Sequence, residues 1–252
     1  MEFEDKVILI TGSGSGIGQV TAHLFAKEGG TVVVADINEK GGHETVKQIT
    51  AAGGKSSFIN VDVADYASVE NLINKVIQQF GRLDIAVNNA GVLGDLARTA
   101  ETSLDTWNKV MAVNASGVFY CLKLEIQQML KQGAGIIVNT ASIAGLRGLP
   151  NNLAYTASKH AVVGMTKTAA MEYARYHIRI NAVCPVFTTT PMFDPKAINQ
   201  ISAGLSDKLK ASVPMKRFAN PVEIAHTIVW LCSEKASFIT GHAIPIDGGL
   251  TA

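Results

Sequence analysis

The chain of 252 residues has only three cysteines, Cys121, Cys184 and Cys232, none of them close to another in sequence. Such an odd, sparse set builds no disulfide framework and fits a reducing compartment. Excess charge is also missing: the formal net charge is +1, and lysine and arginine are scattered along the chain. A broad surface for a phosphate backbone has no electrostatic support, so nucleic acid is not an expected partner. No apolar run approaches the roughly 20 residues needed to span a bilayer. Met1-Glu2-Phe3-Glu4-Asp5 carries acid where a signal peptide carries base. These absences predict a cytoplasmic protein with no membrane partner. The six histidines are dispersed, with no pair at helical ligand spacing, and no metal site is expected.

What is present is a dense apolar chain, 47% hydrophobic and 17% charged, with 23 glycines. Short β-rich runs alternate with longer helical patterns. Strands are predicted at Lys6 to Thr11, Thr31 to Asp36, Lys55 to Val61, Leu83 to Asn88, Gly135 to Thr140, Arg179 to Val183 and Ala243 to Ile246. Helical stretches lie between them, at about 16–28, 39–52, 65–80, 103–131, 152–176 and 221–233. The 103–131 stretch reads as two helices broken near Asn114. Continuously apolar strands separated by helices mark a parallel sheet covered on both faces. The expected fold class is α/β: a doubly wound, Rossmann-type parallel sheet of about seven strands, one domain over residues 1–252. No repeat or linker interrupts it. Residues 186–213 fit the alternation poorly, with Pro191, Pro195 and a weak helical pattern that puts Ile198, Ile201, Leu205 and Leu209 on one side. A long connection of this kind reads as a substrate loop or lid.

The first strand runs into Thr11-Gly12-Ser13-Gly14-Ser15-Gly16-Ile17-Gly18 and then a helix. Glycine in such a turn permits positive φ and lets a pyrophosphate approach backbone N–H groups at a helix N-terminus. Gly12, Ser15, Gly16, Ile17 and Gly18 are therefore candidate cofactor-binding residues. Asp36 ends the second strand, where a carboxylate can accept hydrogen bonds from both hydroxyls of an adenosine ribose. A 2′-phosphate there would face a like charge. At about 4 Å and an effective dielectric of about 20, each such pair costs roughly 4 kcal/mol before screening. With Ile37 following Asp36 and Ser15 in the glycine turn, no cation offsets this, and the expected cofactor is NAD rather than NADP.

Tyr155 and Lys159 are four residues apart on the helix that begins near Asn152, and so share a face. A free tyrosine has a pKa of about 10. An ammonium about 4 Å away supplies roughly the 4 kcal/mol that brings the phenol near neutrality. Ser142 lies just beyond the fifth strand, at the edge where parallel sheets bind ligands, placed to hold a substrate oxygen beside Tyr155.

Taken in order, these motifs resemble the short-chain dehydrogenase/reductase family over essentially the whole chain. The matching residues are Thr11-Gly12, Gly16-Ile17-Gly18, Asp62, Asn88-Asn89-Ala90-Gly91, Asn114, Ser142, Tyr155-Thr156-Ala157-Ser158-Lys159, Asn181-Ala182-Val183-Cys184-Pro185 and Asp247-Gly248-Gly249. The resemblance implies that Tyr155 exchanges the proton. Lys159 would lower the pKa of Tyr155 and hold the nicotinamide ribose, Ser142 would position the carbonyl, and Asn114 would hold a water leading from Lys159 to solvent. It further implies Asp62 and Val63 along the adenine and Asn89, Ala90 and Gly91 closing the cleft. Thr190 would lie at the carboxamide, with the backbone of Pro185 to Thr188. A homotetramer is implied too, built through the two long helices and the C-terminal part.

One departure stands out. Where the family often has Pro-Gly, this chain has Pro185-Val186. A β-branched residue cannot take glycine-only angles and adds bulk near the nicotinamide. Leu153, Val186, Phe187, Met192 and Phe193 are the candidate lining of an apolar substrate pocket, favouring a cyclic or aryl alcohol or ketone. Two other readings compete with a secondary alcohol dehydrogenase. Reduction of a 3-oxoacyl thioester is disfavoured because Asp36 points to NAD. A non-catalytic nicotinamide-binding regulator would have no need for Tyr155 and Lys159.

Overall fold

In the first strand, side chains alternate between two apolar layers: Val7 and Leu9 enter one, Ile8 and Ile10 the other. The second strand repeats this, with Val33 and Ala35 opposed to Val32 and Val34. A two-residue period with both phases apolar requires cover on both faces of the sheet, and helices supply it. The computed structural model describes residues 1–252, the side chain of Ile201 excepted.

In chain order the elements are β1 (Val7–Thr11), α1 (Gly16–Lys27), β2 (Thr31–Asp36), α2 (Glu39–Ala51), β3 (Lys55–Asn60), α3 (Tyr66–Phe80) and β4 (Ile85–Asn88). They continue with α4 (Leu104–Met111), α5 (Gly117–Gln132), β5 (Gly135–Thr140), α6 (Leu153–Tyr173) and β6 (Ile178–Pro185). Last come α7 (Pro195–Ile201), α8 (Leu205–Ser212), α9 (Pro221–Cys232) and β7 (Ala243–Ile246). The seven strands form one sheet in the order β3-β2-β1-β4-β5-β6-β7, and every pairing is parallel. This is the expected Rossmann-type, doubly wound α/β fold. Helices α3, α5 and α6 contribute to one core, through residues such as Leu72, Leu122 and Val162. Helices α1, α2 and α9 contribute to the other, through Phe25, Ile49 and Ile228.

Local signals set the element ends. Asp65 accepts the N–H of Ala67 to cap α3, and Gly81, at φ +76°, ends it. Asn220 and Glu223 form a reciprocal capping box around Pro221 at the start of α9.

The structure corrects one expectation and fills in another. The break foreseen near Asn114 is a single turn of π-helix, Ala112–Ser116, through which α4 runs on into α5. Such a turn inserts one residue without ending the helix, so no terminator marks it in the sequence. The weak pattern in 186–213 resolves into two short helices: α7, capped by Asp194 with Pro195 in its first turn, and α8, separated from it by Gly204 at φ +75°. Ile198, Leu205 and Leu209 are half-buried there, as a one-sided pattern requires, and the side chain of Ile201 lies outside the description.

Candidate active site at the carboxyl edge of the sheet

Strand order reverses between β1 and β4, because β2 and β3 extend to one side and β5 to β7 to the other. Connections leaving the two strands diverge there and open a crevice. On the β1 side lies the glycine turn. Gly12 has φ +65°, and a Cβ on it would lie 2.7 Å from Ala90 Cα. A Cβ on Gly18 would lie 2.3 Å from the carbonyl oxygen of Gly12. These glycines let the turn pack directly on Asn89 and Ala90. Asn89 answers from the β4 side, donating through Nδ2 to the carbonyls of Thr11 (3.1 Å) and Gly12 (3.0 Å).

Helix α1 begins at Gly16, and its N-cap, Ser15, makes no side-chain capping bond. Its first N–H groups thus lack the usual serine partner and face the crevice end with the positive pole of a 12-residue helix. Ile17 follows, packed against the α1-side core. Thr190 sits over this turn, its Cβ 3.4 Å from where a Gly16 Cβ would be. Asp36, at the end of β2, accepts the Gly14 N–H through Oδ2 (2.8 Å) and the Asn38 N–H through Oδ1 (2.8 Å). Each carboxylate oxygen keeps a free lone pair for a further donor. Ile37 beside it is largely exposed. Asp62 binds the Ala64 N–H in a local turn, and Val63 is buried against Gly117. A glycine-lined turn, an open helix N-terminus and a strand-end carboxylate with spare acceptors fit an adenine dinucleotide.

Across the crevice stand the residues of the expected chemistry. Ser142 follows β5 and is 8% exposed, its Oγ accepting the Ala144 N–H at 3.1 Å. Tyr155 and Lys159 project from one face of α6, with Lys159 Nζ 5.6 Å from the centre of the Tyr155 ring. The Lys159 ammonium, 3% exposed, donates to the Thr140 carbonyl at 2.8 Å. Burial disfavours its charge and lowers its pKa to about 8. Asn114 is fully buried: Oδ1 accepts the Val92 N–H (2.8 Å), and Nδ2 donates to the Val92 carbonyl (2.8 Å) and to Ser158 Oγ (3.2 Å). Gly91 separates Asn114 from Lys159. A Cβ there would lie 3.3 Å from Asn114 Oδ1 and 3.5 Å from Lys159 Nζ.

The acidified phenol expected from the sequence is not found in the chain by itself. Burial pushes the Tyr155 phenol above its ordinary range, a hydrogen bond with Ser142 pulls it back, and the Cys184 thiol adds to the rise. The spacing of Tyr155 and Lys159 by itself puts a full ammonium beside the phenol. In the fold that ammonium is turned toward Thr140, and the desolvation it suffers is shared by the tyrosine.

Val186 lies immediately beyond the last residue of β6. It keeps a negative φ, continues the ladder by donating its N–H to Ile246 at 3.2 Å, and is buried with Ile143 and Val213. Its bulk is absorbed by a small apolar cluster. Phe187 stacks on Phe193 at 5.2 Å, and both meet Phe218 edge-on. Thr188 is buried, donating to the Val186 carbonyl at 2.8 Å, just beyond Pro185 at the end of β6. Leu153 and Met192 remain substantially exposed at the rim.

Sequence reading missed a buried chain of polar groups beneath the site. Asn88 Nδ2 donates to Glu125 Oε2 and to Asn139 Oδ1, each at 3.0 Å, and Asn139 Nδ2 donates to Thr166 Oγ1 at 2.9 Å. Asn88 and Asn139 in otherwise apolar strands were its visible signal. Glu125 carried none, because a helical glutamate reads as a solvated face.

Comparison with known proteins agrees with this geometry. Residues 12–251 match the family model described as enoyl-(acyl carrier protein) reductase, of the short-chain dehydrogenase type. The chain is similar to the cyclohexanol dehydrogenase of Acinetobacter sp. (strain SE19), with 42% identity over 100% of this chain and 97% of that protein. Among solved structures it is similar to levodione reductase, with a TM-score of 0.94, 37% identity and 98% of each chain covered. It is also similar to NAD⁺-bound xylitol dehydrogenase, with a TM-score of 0.95, 33% identity, and 99% of this chain and 100% of that chain covered. On its sequence, its sheet order and the residues at its carboxyl edge, the chain belongs to the short-chain dehydrogenase/reductase family.

Proposed function

We propose that the protein is an NAD-dependent oxidoreductase, a single domain with a lid at residues 186–213, that interconverts a secondary alcohol and a ketone. The observation that carries this reading is the meeting of Ser142, Tyr155 and Lys159 at the ends of β5 and α6, across the crevice from the open start of α1. Gly12, Ser15, Gly16, Ile17 and Gly18 would hold the pyrophosphate, and Asp36 the adenosine ribose. Asp62, Val63, Asn89, Ala90 and Gly91 flank the adenine side and the cleft. Pro185, Thr188 and Thr190 reach over the nicotinamide end. Bound NAD supplies the hydride acceptor or donor.

The chain's own residues handle the proton and the oxygen. Ser142 Oγ orients the substrate oxygen, and Tyr155 Oη gives or takes the proton there. Lys159, anchored on Thr140, presents positive charge that favours the phenolate when the alcohol is deprotonated. The side chain of Asn114 is committed to Val92 and Ser158, so a water shared with Lys159 would rest on its main-chain carbonyl. The similarity to cyclohexanol dehydrogenase and levodione reductase favours a cyclic substrate. Steady-state assays with NAD⁺ and NADP⁺ against a panel of cyclic and acyclic secondary alcohols test the reading; no reduced nicotinamide with any of them would overturn it.

We also propose a homotetramer in the cytoplasm. Support comes from large apolar side chains left exposed on helices α4, α5 and α6 and near the C-terminal part, namely Leu104, Phe119, Met171 and Phe238. The three buried free thiols suit a reducing compartment. No helix among the described residues is long and apolar enough to cross a membrane. Light scattering gives the assembly state directly.

A further inference from the structure

The last six residues do not trail off. Asp247, 8% exposed, gathers them into a knot: Oδ1 accepts the Gly249 N–H (3.0 Å), and Oδ2 accepts both the Thr251 N–H (2.8 Å) and the Thr251 hydroxyl (2.6 Å). Gly248 and Gly249 take φ +60° and +88°, angles open to glycine, so the knot is written into the sequence. Gly248 in turn accepts the Met215 N–H at 3.3 Å and packs so closely on Val213 that a Cβ would lie 2.8 Å from Val213 Cγ1. The tail is thus fastened at the exit of α8.

What this fastening positions is Leu250. Its side chain packs, half-buried, against Ile143, Val186 and Val213. Ile143 is the residue after Ser142, and Val186 is the residue after Pro185 at the end of β6. Val213 closes α8. The cluster therefore joins the catalytic serine's own turn, the strand end beside the nicotinamide position and the lid. Leu250 reaches it from a distant part of the chain. A hydrophobic plug would need no such clamp at a chain end, where ordering five or six residues has an entropic cost and local contacts are few.

We propose that Leu250 is a specificity-determining residue, held by the Asp247 knot as a wall of the substrate pocket that limits the size of the ring accepted beside Ser142. This rests on the alcohol–ketone reading above. Removing side-chain carbons from an apolar wall changes discrimination between substrates by tenfold or more, since one methylene in a pocket is worth about 10- to 200-fold.

The test uses full-length protein, NAD⁺, cyclohexanol and 4-tert-butylcyclohexanol. Leu250→Ala should raise the ratio of kcat/KM for the bulky alcohol over cyclohexanol by about tenfold, with KM for NAD⁺ unchanged within about twofold. Leu250→Phe should lower the ratio, and Asp247→Ala, which frees the tail, should move it in the direction of Leu250→Ala. A ratio that stays within about twofold of wild type in both Leu250 variants would overturn the assignment while leaving the activity standing. So would a ratio change matched by an equal change in KM for NAD⁺. Absence of turnover of either ring by wild type, with acyclic alcohols oxidised, would overturn the ring-size role alone. No turnover of any alcohol would overturn the function and this role together.

Discussion

Gly14 donates its backbone N–H to Asp36 Oδ2 at 2.8 Å, tying the glycine turn to the end of β2. The carboxylate that would read the ribose is therefore also a structural member of the turn, and its position is fixed before any cofactor arrives. Wild-type enzyme should prefer NAD⁺ over NADP⁺ in kcat/KM by on the order of 100-fold, the screened remainder of the like-charge penalty. Asp36→Ala should erase most of that preference. It should also cost about 1 kcal/mol of stability, because the Gly14 N–H loses its acceptor. Kinetics with both cofactors, together with urea unfolding, measure the two effects separately.

Tyr155→Phe should lower kcat by about 10³-fold while leaving NADH affinity within about threefold, since general acid–base transfer contributes about 10²- to 10⁴-fold. Ser142→Ala should lower kcat by a smaller factor, on the order of 10²-fold, because one hydrogen-bond donor to the reacting oxygen is lost. Fluorescence titration of NADH paired with initial rates checks both. Near-wild-type turnover by Tyr155→Phe would remove the tyrosine from the mechanism.

The pH dependence should run in opposite senses for the two directions. Burial holds the phenol of Tyr155 up, so alcohol oxidation, which needs the phenolate, should gain rate as pH rises. Lys159 is pulled down to about 8 by burial, so its positive charge is present below that pH and lost above it. That charge favours the phenolate in both directions, so the gain in alcohol oxidation should level off as pH rises through about 8, while ketone reduction, which also consumes a proton, should fall there. In Lys159→Met that limb should vanish, along with much of the rate. Initial-rate profiles from pH 6 to 10 in each direction make the comparison.

Glu125 gives a stability prediction independent of catalysis. It is fully buried with Asn88 as its hydrogen-bond donor, and burial raises its pKa to about 7 despite that bond. The folded state holds the proton more tightly than the unfolded one. Stability from this group is thus complete below the unfolded value of about 4.5 and lost as pH rises through 7. The shift corresponds to about 3 kcal/mol. Glu125→Gln, which keeps an acceptor for Asn88 without an ionisable proton, should be more stable than wild type at pH 8 by up to that amount and nearly equal to it at pH 4. Chemical denaturation at the two values decides it.

Much of this was legible before any coordinates. Strands with both phases apolar, such as Val7 to Thr11 and Thr31 to Asp36, carried the two-sided sheet in their composition, and the caps Asp65 and Asn220 with Gly81 marked helix ends. Other features had no local signature. The π-turn at Ala112–Ser116 differs from α-helix by one inserted residue, and no residue type encodes it. The anchor of Lys159 is a main-chain carbonyl, which every residue possesses. The depressed acidity of Tyr155 follows from burial, a quantity set by the whole fold. Leu250 and Val213 meet across 37 positions of sequence, and spacing alone does not announce such a contact.

The order of the strands divides labour across one seam. On one side, β1, β2 and the start of α1 carry the glycine turn and Asp36; on the other, β5, β6 and α6 carry Ser142, Val186, Tyr155 and Lys159. On the proposed reading, the choice between NAD and NADP and the choice of alcohol fall to separate lengths of chain. Grafting residues 135–252 from a relative onto this amino-terminal part should exchange the alcohol preference and leave the nucleotide preference where it was.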